Sequence, residues 1–305
     1  MKSRCKMYRV DAFATKPFTG NPAAVCLLQA GMPQKLQTVG LQQIAAELKQ
    51  PATCFVSLLT EGDSFQASSR FGLRWFSPSS QELPLCGHGT LATAAALVQG
   101  EGNQQDTLHF ETLGGQLSVQ SMSSETSSLP TIQITLPKSD SSMQLPNGLK
   151  LSNESLKMVM GSLAIKEILY SSKVRNALVV LADGTTRKQL ESLQPDMDRM
   201  VSELDTEQLN GVMVTCQGDR EPYHFLSRYF APWIGVGEDA VTGSAHTALG
   251  PYWATHLSMI GQPMTARQCS QRGGDLQVTV NEGCDKVVIA SQAVIVSRGE
   301  LCLPE

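Results

Sequence analysis

The chain has no apolar run long enough to cross a bilayer. Its most apolar stretch, roughly Leu91 to Val98, falls far short of the ~20 residues that a spanning helix needs. Near the N-terminus Lys2, Arg4 and Lys6 are followed by Asp11 and Thr15, which interrupt the sequence before the apolar segment of a secretory signal could form. There is no glycine after Met1 and no C-terminal prenylation box. These absences predict a cytoplasmic protein with no membrane partner, and Asn153-Glu154-Ser155 therefore means little as a glycosylation acceptor. Charge is also scarce: 17% of residues are charged and the formal net charge is −4. Neither a basic stripe nor an aromatic-plus-arginine platform is present, so no nucleic-acid partner is expected. No C-x-x-C pair occurs among the eight scattered cysteines, and in a reducing compartment most of these should be buried free thiols.

What is present suits a globular chain. Hydrophobic residues make up 41% of the 305, too long a chain for one ordinary core and right for two domains, and 25 glycines fit a turn-rich, strand-rich fold. Val10–Phe13 and Ala24–Leu28 read as strands joined by the turn from Pro17 to Pro22. Leu41, Ile44, Ala45 and Leu48 form one apolar helical stripe, which Pro51 stops; Thr53–Leu58 resumes as strand. Arg70–Phe76 is a further strand. Gly87 and Gly89 then open a segment, Thr90–Val98, that is apolar almost all round and so predicts a helix buried on every side. Strands follow at Leu108–Glu111, Gln116–Gln120 and Thr131–Leu136, with the Ser-rich 121–128 as a hairpin loop. Residues 137–155 read as a linker. Beyond it, Asn176–Leu181, Val212–Cys216 and His224–Phe230 read as strands, Thr186–Leu204 as mostly helix, Pro232–Asp239 as loop and Ser244–Leu257 as helix. Pro251 should kink or break that last helix. Leu276–Val280 and Lys286–Ala290 look like a closing hairpin around Asn281-Glu282-Gly283.

Two stretches repeat. Arg74-Trp75-Phe76-Ser77-Pro78 leads to Cys86-Gly87-His88-Gly89-Thr90 and an apolar helix; Arg228-Tyr229-Phe230-Ala231-Pro232 leads to Thr242-Gly243-Ser244-Ala245-His246 and another. The intervening loops differ by two residues, which aligns Cys86 with Thr242 and His88 with Ser244. Each Gly-containing turn exposes N–H groups at the positive end of a helix. Two such ends facing one cleft would suit a carboxylate.

These residues carry a resemblance to the phenazine-biosynthesis isomerase (PhzF) family, which shares its fold with diaminopimelate epimerase. The resemblance covers essentially the whole length. It runs through Asp11-Ala12-Phe13, Phe18-Thr19-Gly20-Asn21-Pro22-Ala23-Ala24-Val25, Ile44-Ala45-Ala46-Glu47, Arg74 to Pro78, Pro84-Leu85-Cys86-Gly87-His88 and Glu238-Asp239-Ala240-Val241-Thr242-Gly243-Ser244-Ala245. Within the family the chain is most similar to the animal phenazine biosynthesis-like domain-containing branch, notably in Arg228 to Trp233 and Cys269 to Gly274. The resemblance implies an α+β fold of two pseudo-symmetric halves, each a strand-rich, barrel-like sheet around a central buried helix. The halves would be 1–136, completed by a C-terminal strand near 291–305, and 137–290, with the site in the cleft between them. It also implies a homodimer, no cofactor, and proton transfer between carbons of a small carboxylate-bearing substrate. His88, Asp239 and Ser244 would hold that substrate, with Gly87, Gly89, Gly243 and Asn21 lining its site.

One position departs. The family's catalytic glutamate follows the first amphipathic helix, and here that position is Ala52, whose methyl group cannot accept a proton; losing a general base typically costs ~10²–10⁴ in rate. Glu47 matches a different position. In the epimerase branch two cysteines act as bases, one at each helix start; Cys86 stands at one and Thr242 at the other. Cys86 is then either a thiol made reactive by the helix end or a buried inert one.

The remaining patterns exclude other chemistries. Thr242 to His246 is not a G-x-S-x-G elbow, so Ser244, His88 and Asp239 do not read as a hydrolase triad. Gly235-Val236-Gly237-Glu238-Asp239-Ala240 puts two carboxylates where a pyrophosphate would lie. Cys86 and His88 lack a third metal ligand at usable spacing, so no metal is expected. Two functions remain: an isomerase-like enzyme in which Cys86 or a substrate group handles the proton, or a protein that keeps the fold and cleft as a metabolite-binding or protein-interaction regulator.

Overall fold

The structure is a computed structural model. It describes residues 3–123, 127–139, 145, 149, 151–161, 163–204, 208–218 and 222–304. The chain divides into two compact units, Met1–Thr135 with Ala290–Glu305, and Leu136–Ile289. The first contains β1 (Arg4–Ala12), β2 (Asn21–Leu28), α1 (Met32–Leu48), β3 (Ala52–Ser57), β4 (Arg70–Phe76), β5 (Glu82–Leu83), α2 (Gly87–Ala95), β6 (Thr107–Thr112), β7 (Gly115–Met122) and most of β8 (Thr131–Pro137). The second contains α3 (Asn153–Met160), β9 (Ile165–Ser171), β10 (Asn176–Leu181), α4 (Arg187–Glu191), α5 (Met197–Glu203), β11 (Gly211–Gln217), β12 (Phe225–Ala231), β13 (Val236–Asp239), α6 (His246–His256), β14 (Pro263–Gln268), β15 (Gly274–Val280) and most of β16 (Lys286–Ser291). The chain then returns to the first unit as β17 (Ala293–Cys302).

The two units share one topology. In the first, β1–β2 is antiparallel, β2–β3 parallel, β3–β4 antiparallel, β4–β6 parallel and β6–β7 antiparallel. In the second the same succession runs β9–β10, β10–β11, β11–β12, β12–β14 and β14–β15. Parallel neighbours need a crossover. The first crossover of each unit is helical, α1 in one and α4 with α5 in the other; the second carries the short strand β5 or β13 and then α2 or α6. Register follows as well. Phe76 opposes Thr53 as Phe230 opposes Val212, and Ala23 opposes Ala52 as Asn176 opposes Gly211. Ala52 and Gly211 are thus equivalent positions. The repeat seen in ten residues extends over each unit as a whole.

The helix α2 is the hub of the first unit. Every residue of it except His88 is buried, and it packs against β1, β2, β3, β7 and β17. An alanine- and glycine-rich sequence allows that approach on several sides. On the other face of β2 and β3, Leu41, Ile44 and Ala45 of α1 close over Cys26, Phe55 and Phe76, which is the stripe read from the sequence. In the second unit α6 stacks Trp253 on Phe225 at 5.8 Å and donates from Trp253 Nε1 to Thr215 Oγ1 at 2.9 Å. The wall over α3, α4 and α5 is built from Leu156, Leu190 and Met200 against Val212, Val214 and Phe230.

Several expectations need correction. The stretch 186–204 is two short helices, because Asp196 caps the second one by accepting from Arg199 N at 3.0 Å. Pro232–Asp239 is not all loop: β13 pairs with β12, Tyr229 opposing Asp239. The last long helix starts at His246 and runs through Pro251 without a break. The carbonyl of Thr247, which would have received the N–H that proline lacks, accepts instead from Ser139 N at 3.2 Å. The expected linker 137–155 includes the start of α3, capped by Ser152, and its positions 140–144, 146–148 and 150 lie outside the described residues, as do 124–126 of the expected hairpin loop. No helix among the described residues is long and apolar enough to cross a membrane.

Candidate functional site

In the first unit the start of α2 gathers four groups. Cys86 precedes the helix in extended conformation and is buried; its Sγ lies 3.4 Å from His88 Nδ1. Its carbonyl accepts from Thr90 N at 3.0 Å and Thr90 Oγ1 at 2.7 Å, which fixes the turn. The carbonyl of Gly89 accepts from Cys54 Sγ at 3.4 Å and Thr93 Oγ1 at 2.8 Å. Gly89 is required there, since a Cβ would come within 2.7 Å of Trp75 Cδ1 and 2.9 Å of Cys54 Sγ. Burial, with the Cys86 sulfur nearby, pushes the Cys54 thiol well up from its ordinary value.

Strand alternation links Ala52 to this group. Side chains two apart on a strand share a face, so Ala52 points to the same side as Cys54, the side that meets α2. Ala52 is fully buried. Its neighbour across β2 is Ala23, and Asn21, also fully buried, lies two residues earlier on that strand and therefore on the same face. Glu47 is exposed on α1. The first unit thus brings Cys86, Gly87, His88 and Gly89 to the helix start, beside the sheet face that carries Asn21, Ala52 and Cys54.

In the second unit the turn before α6 is held from below. Thr242 Oγ1 donates to Asp239 Oδ2 at 2.6 Å. The buried Gln268 accepts from Thr242 N and donates to the Asp239 carbonyl, both at 2.8 Å. His246 donates from Nδ1 to the Thr242 carbonyl at 2.8 Å, and burial lowers it to about 4, so it is neutral at pH 7. Gly243 and Ser244 follow, with His246 N bonded to the Gly243 carbonyl and Thr247 N to that of Ser244. Tyr229, opposite Asp239 in the register, has its hydroxyl pushed far up by burial and by that carboxylate. Sequence reasoning passed over Cys54, Gln268 and His246. Alternation from Ala52 would have found Cys54. Gln268 lies at the end of β14, a strand the repeat would have supplied.

The repeat extends to the ion pairs beneath each turn. Arg74 pairs with Glu82 through two bonds of 2.7 Å, and Arg228 with Glu238 at 2.6 and 2.8 Å. Each guanidinium also lies over the phenylalanine two residues on, at 5.3 and 4.9 Å. Among the described residues no group of three His, Cys, Asp or Glu side chains could hold a metal ion. All eight cysteines are free thiols, six of them buried.

Comparison with known proteins bears on this geometry. The family model described as phenazine biosynthesis-like protein (PhzC-PhzF) matches residues 10–299. Mouse phenazine biosynthesis-like domain-containing protein 1 is 40% identical over 97% of this chain and 98% of its own. An uncharacterized isomerase of Pseudomonas aeruginosa is 37% identical over 97% of this chain and 98% of its own. A crystal structure of a PhzF-family phenazine biosynthesis protein from Enterococcus faecalis has a TM-score of 0.77 at 33% identity, covering 99% of this chain and 100% of that one. A hydroxyproline epimerase from Agrobacterium vitis, at 13% identity and TM-score 0.59 over 100% of this chain and 95% of its own, shares the fold alone.

Proposed function

The chain belongs to the phenazine biosynthesis-like family, and from that premise we propose that it is an isomerase moving a proton between carbons of a small carboxylate-bearing metabolite. The observation that carries the reading is the Cys86 Sγ to His88 Nδ1 contact of 3.4 Å at the first turn of a buried helix. Imidazole beside a thiol can take its proton, and the helix end favours the thiolate that results. Cys86 then removes the substrate proton in place of the missing carboxylate at position 52, and returns it at the second carbon. The N–H groups of a helix's first turn, which the helix itself cannot satisfy, receive the substrate carboxylate. In the second unit Asp239, held by Thr242, stands with Gly243 and Ser244 at the matching helix start. On this reading the acid, base and anion-binding groups are the protein's own side chains and main chain, and the proposed reaction calls for no cofactor. A cytoplasmic homodimer is the assembly we expect.

A second reading has its own observation. Ala52 is a fully buried methyl at the family's glutamate position, and a protein that binds the metabolite without turning it over would tolerate it. Deuterium incorporation separates the two. The protein is incubated with a small-molecule extract in D₂O, and mass spectrometry seeks a metabolite that gains deuterium. Labelling by the natural chain, lost in His88→Ala and reduced ~10²-fold or more in Cys86→Ser, supports the enzyme. Labelling only by Ala52→Glu supports the binding protein and sinks Cys86 as the base.

A further inference from the structure

The Cβ that a larger residue would carry at position 89 would lie 2.9 Å from Cys54 Sγ and 3.1 Å from Cys86 Sγ. Both sulfurs therefore pack against the same position of α2, close enough to each other that only glycine fits there. Their surroundings differ in a useful way. Cys86 has an imidazole nitrogen at 3.4 Å, which can take the thiol proton as the sulfur attacks. Cys54 is fully buried on β3, donates to the Gly89 carbonyl, and stays protonated. Cys86 also precedes the helix in extended backbone, φ −143° and ψ 102°, so no preceding helical turn restricts its χ1. A reactive thiol next to a reserve thiol is the arrangement in which oxidation ends in a disulfide rather than in an irreversible acid.

We propose that Cys86 and Cys54 form a hydroperoxide-sensitive pair, with Cys86 as the attacking thiol and Cys54 as the resolving one. The Cys86 thiolate attacks one oxygen of hydrogen peroxide; an S–O bond forms, the O–O bond breaks, and the departing hydroxide takes a proton from the His88 imidazolium to give water. The Cys54 sulfur then attacks Cys86 Sγ. The S–S bond forms, the S–O bond breaks, and hydroxide leaves with the Cys54 thiol proton as a second water. Two thiols lose two electrons and one peroxide becomes two waters. The product ties β3 to the first turn of α2, and reduction by a small dithiol restores it. That the bond also stops turnover rests on the proton-transfer reading above; its formation does not.

The test uses the full native chain. It is treated with a modest excess of hydrogen peroxide, its remaining thiols are blocked with N-ethylmaleimide, and it is digested with trypsin. Cleavage at lysine and arginine leaves Cys54 on peptide 50–70 and Cys86 on peptide 75–138, neither with a second cysteine. The expected product is these two peptides joined, about 2 mass units below their sum and released by reductant. In Cys54→Ser the expected product is Cys86 as sulfenic acid, trapped by dimedone, or as sulfinic acid. Peptide 75–138 of the natural chain unmodified, carried to sulfinic acid, or joined to any peptide other than 50–70 overturns the proposal. Because the readout is mass alone, it stands whether or not the protein turns over a substrate.

Discussion

His246 has its whole side chain inside the second unit, with Nδ1 on the Thr242 carbonyl and its ring 5.9 Å from that of Phe225. Burial lowers it from an ordinary 6.5 to about 4. A group that binds its proton less readily when folded than when unfolded stabilises the fold above its unfolded value and loses that contribution as pH falls. Stability should therefore decline between pH 6.5 and about 4, by roughly 3 kcal/mol when the whole window is crossed. Urea midpoints across that range check it, and His246→Gln should flatten the slope. The two arginines of the repeat make a second contrast. Arg228 is 7% exposed and donates to the carbonyls of Leu190, Glu191 and Leu193 as well as to Glu238, whereas Arg74 is 30% exposed. Removing one partner of a buried pair costs about 3–5 kcal/mol, and of an exposed pair about 0–1. Arg228→Met should fall near the first figure and Arg74→Met nearer the second, as equilibrium unfolding would register.

At the scale of the element, α2 and α6 depend on close approach. Gly89→Ala should destabilise by about 1–3 kcal/mol through overpacking against Trp75 and Cys54, even though alanine is the better helix former. Pro251→Ala is expected to do little. A mid-helix proline ordinarily costs about 3 kcal/mol, partly for a lost hydrogen bond, but here the Thr247 carbonyl already has Ser139 N as its donor. A gain above about 2 kcal/mol in urea unfolding would contradict that account. The same elements show what composition and periodicity could reveal. An all-round apolar run announced α2, and the stripe on α1 was plain, because burial imposes those patterns directly. β13 was hidden by two acidic residues and a glycine in its four positions; the Arg228 guanidinium is what lets Glu238 lie in a strand. β14, Pro263 to Gln268, buries only Met264, Ala266 and Gln268, too weak an alternation to notice. Gln268 matters as a buried hydrogen-bonding clamp, and burial of a polar residue leaves no periodic trace. Cys86, Gly87, His88, Gly89, Gly243 and Ser244, named from the repeat and the resemblance, lie at the two helix starts, while Asn21 and Ala52 lie on strands; the Cys54 thiol emerged only through the alternation that joins it to Ala52.

For the whole molecule, the first unit is built from both ends of the chain. β1 takes β2 on one side and β17 on the other, paired from Arg4 with Cys302 to Ala12 with Ala293 across one register shift between Arg9 and Val10. Removing residues 290–305 should therefore unfold the first unit while leaving β9 to β12, β14 and β15 of the second with the partners they have in the full chain. Hydrogen exchange on the shortened chain checks this: protection should vanish from β1 and β2 and persist in β10 and β11, and protection retained in β1 would refute it.

That discontinuity also orders events on the ribosome. The residues of the second unit are synthesised and released as one uninterrupted piece, whereas the first, though begun earlier, cannot close until the final strand emerges. At ~5–20 residues per second, β1 waits roughly 15–60 s with one edge unpaired. An open strand edge is a template for mispairing, so the nascent chain needs most protection at the end it made first, and a stall late in translation endangers its beginning.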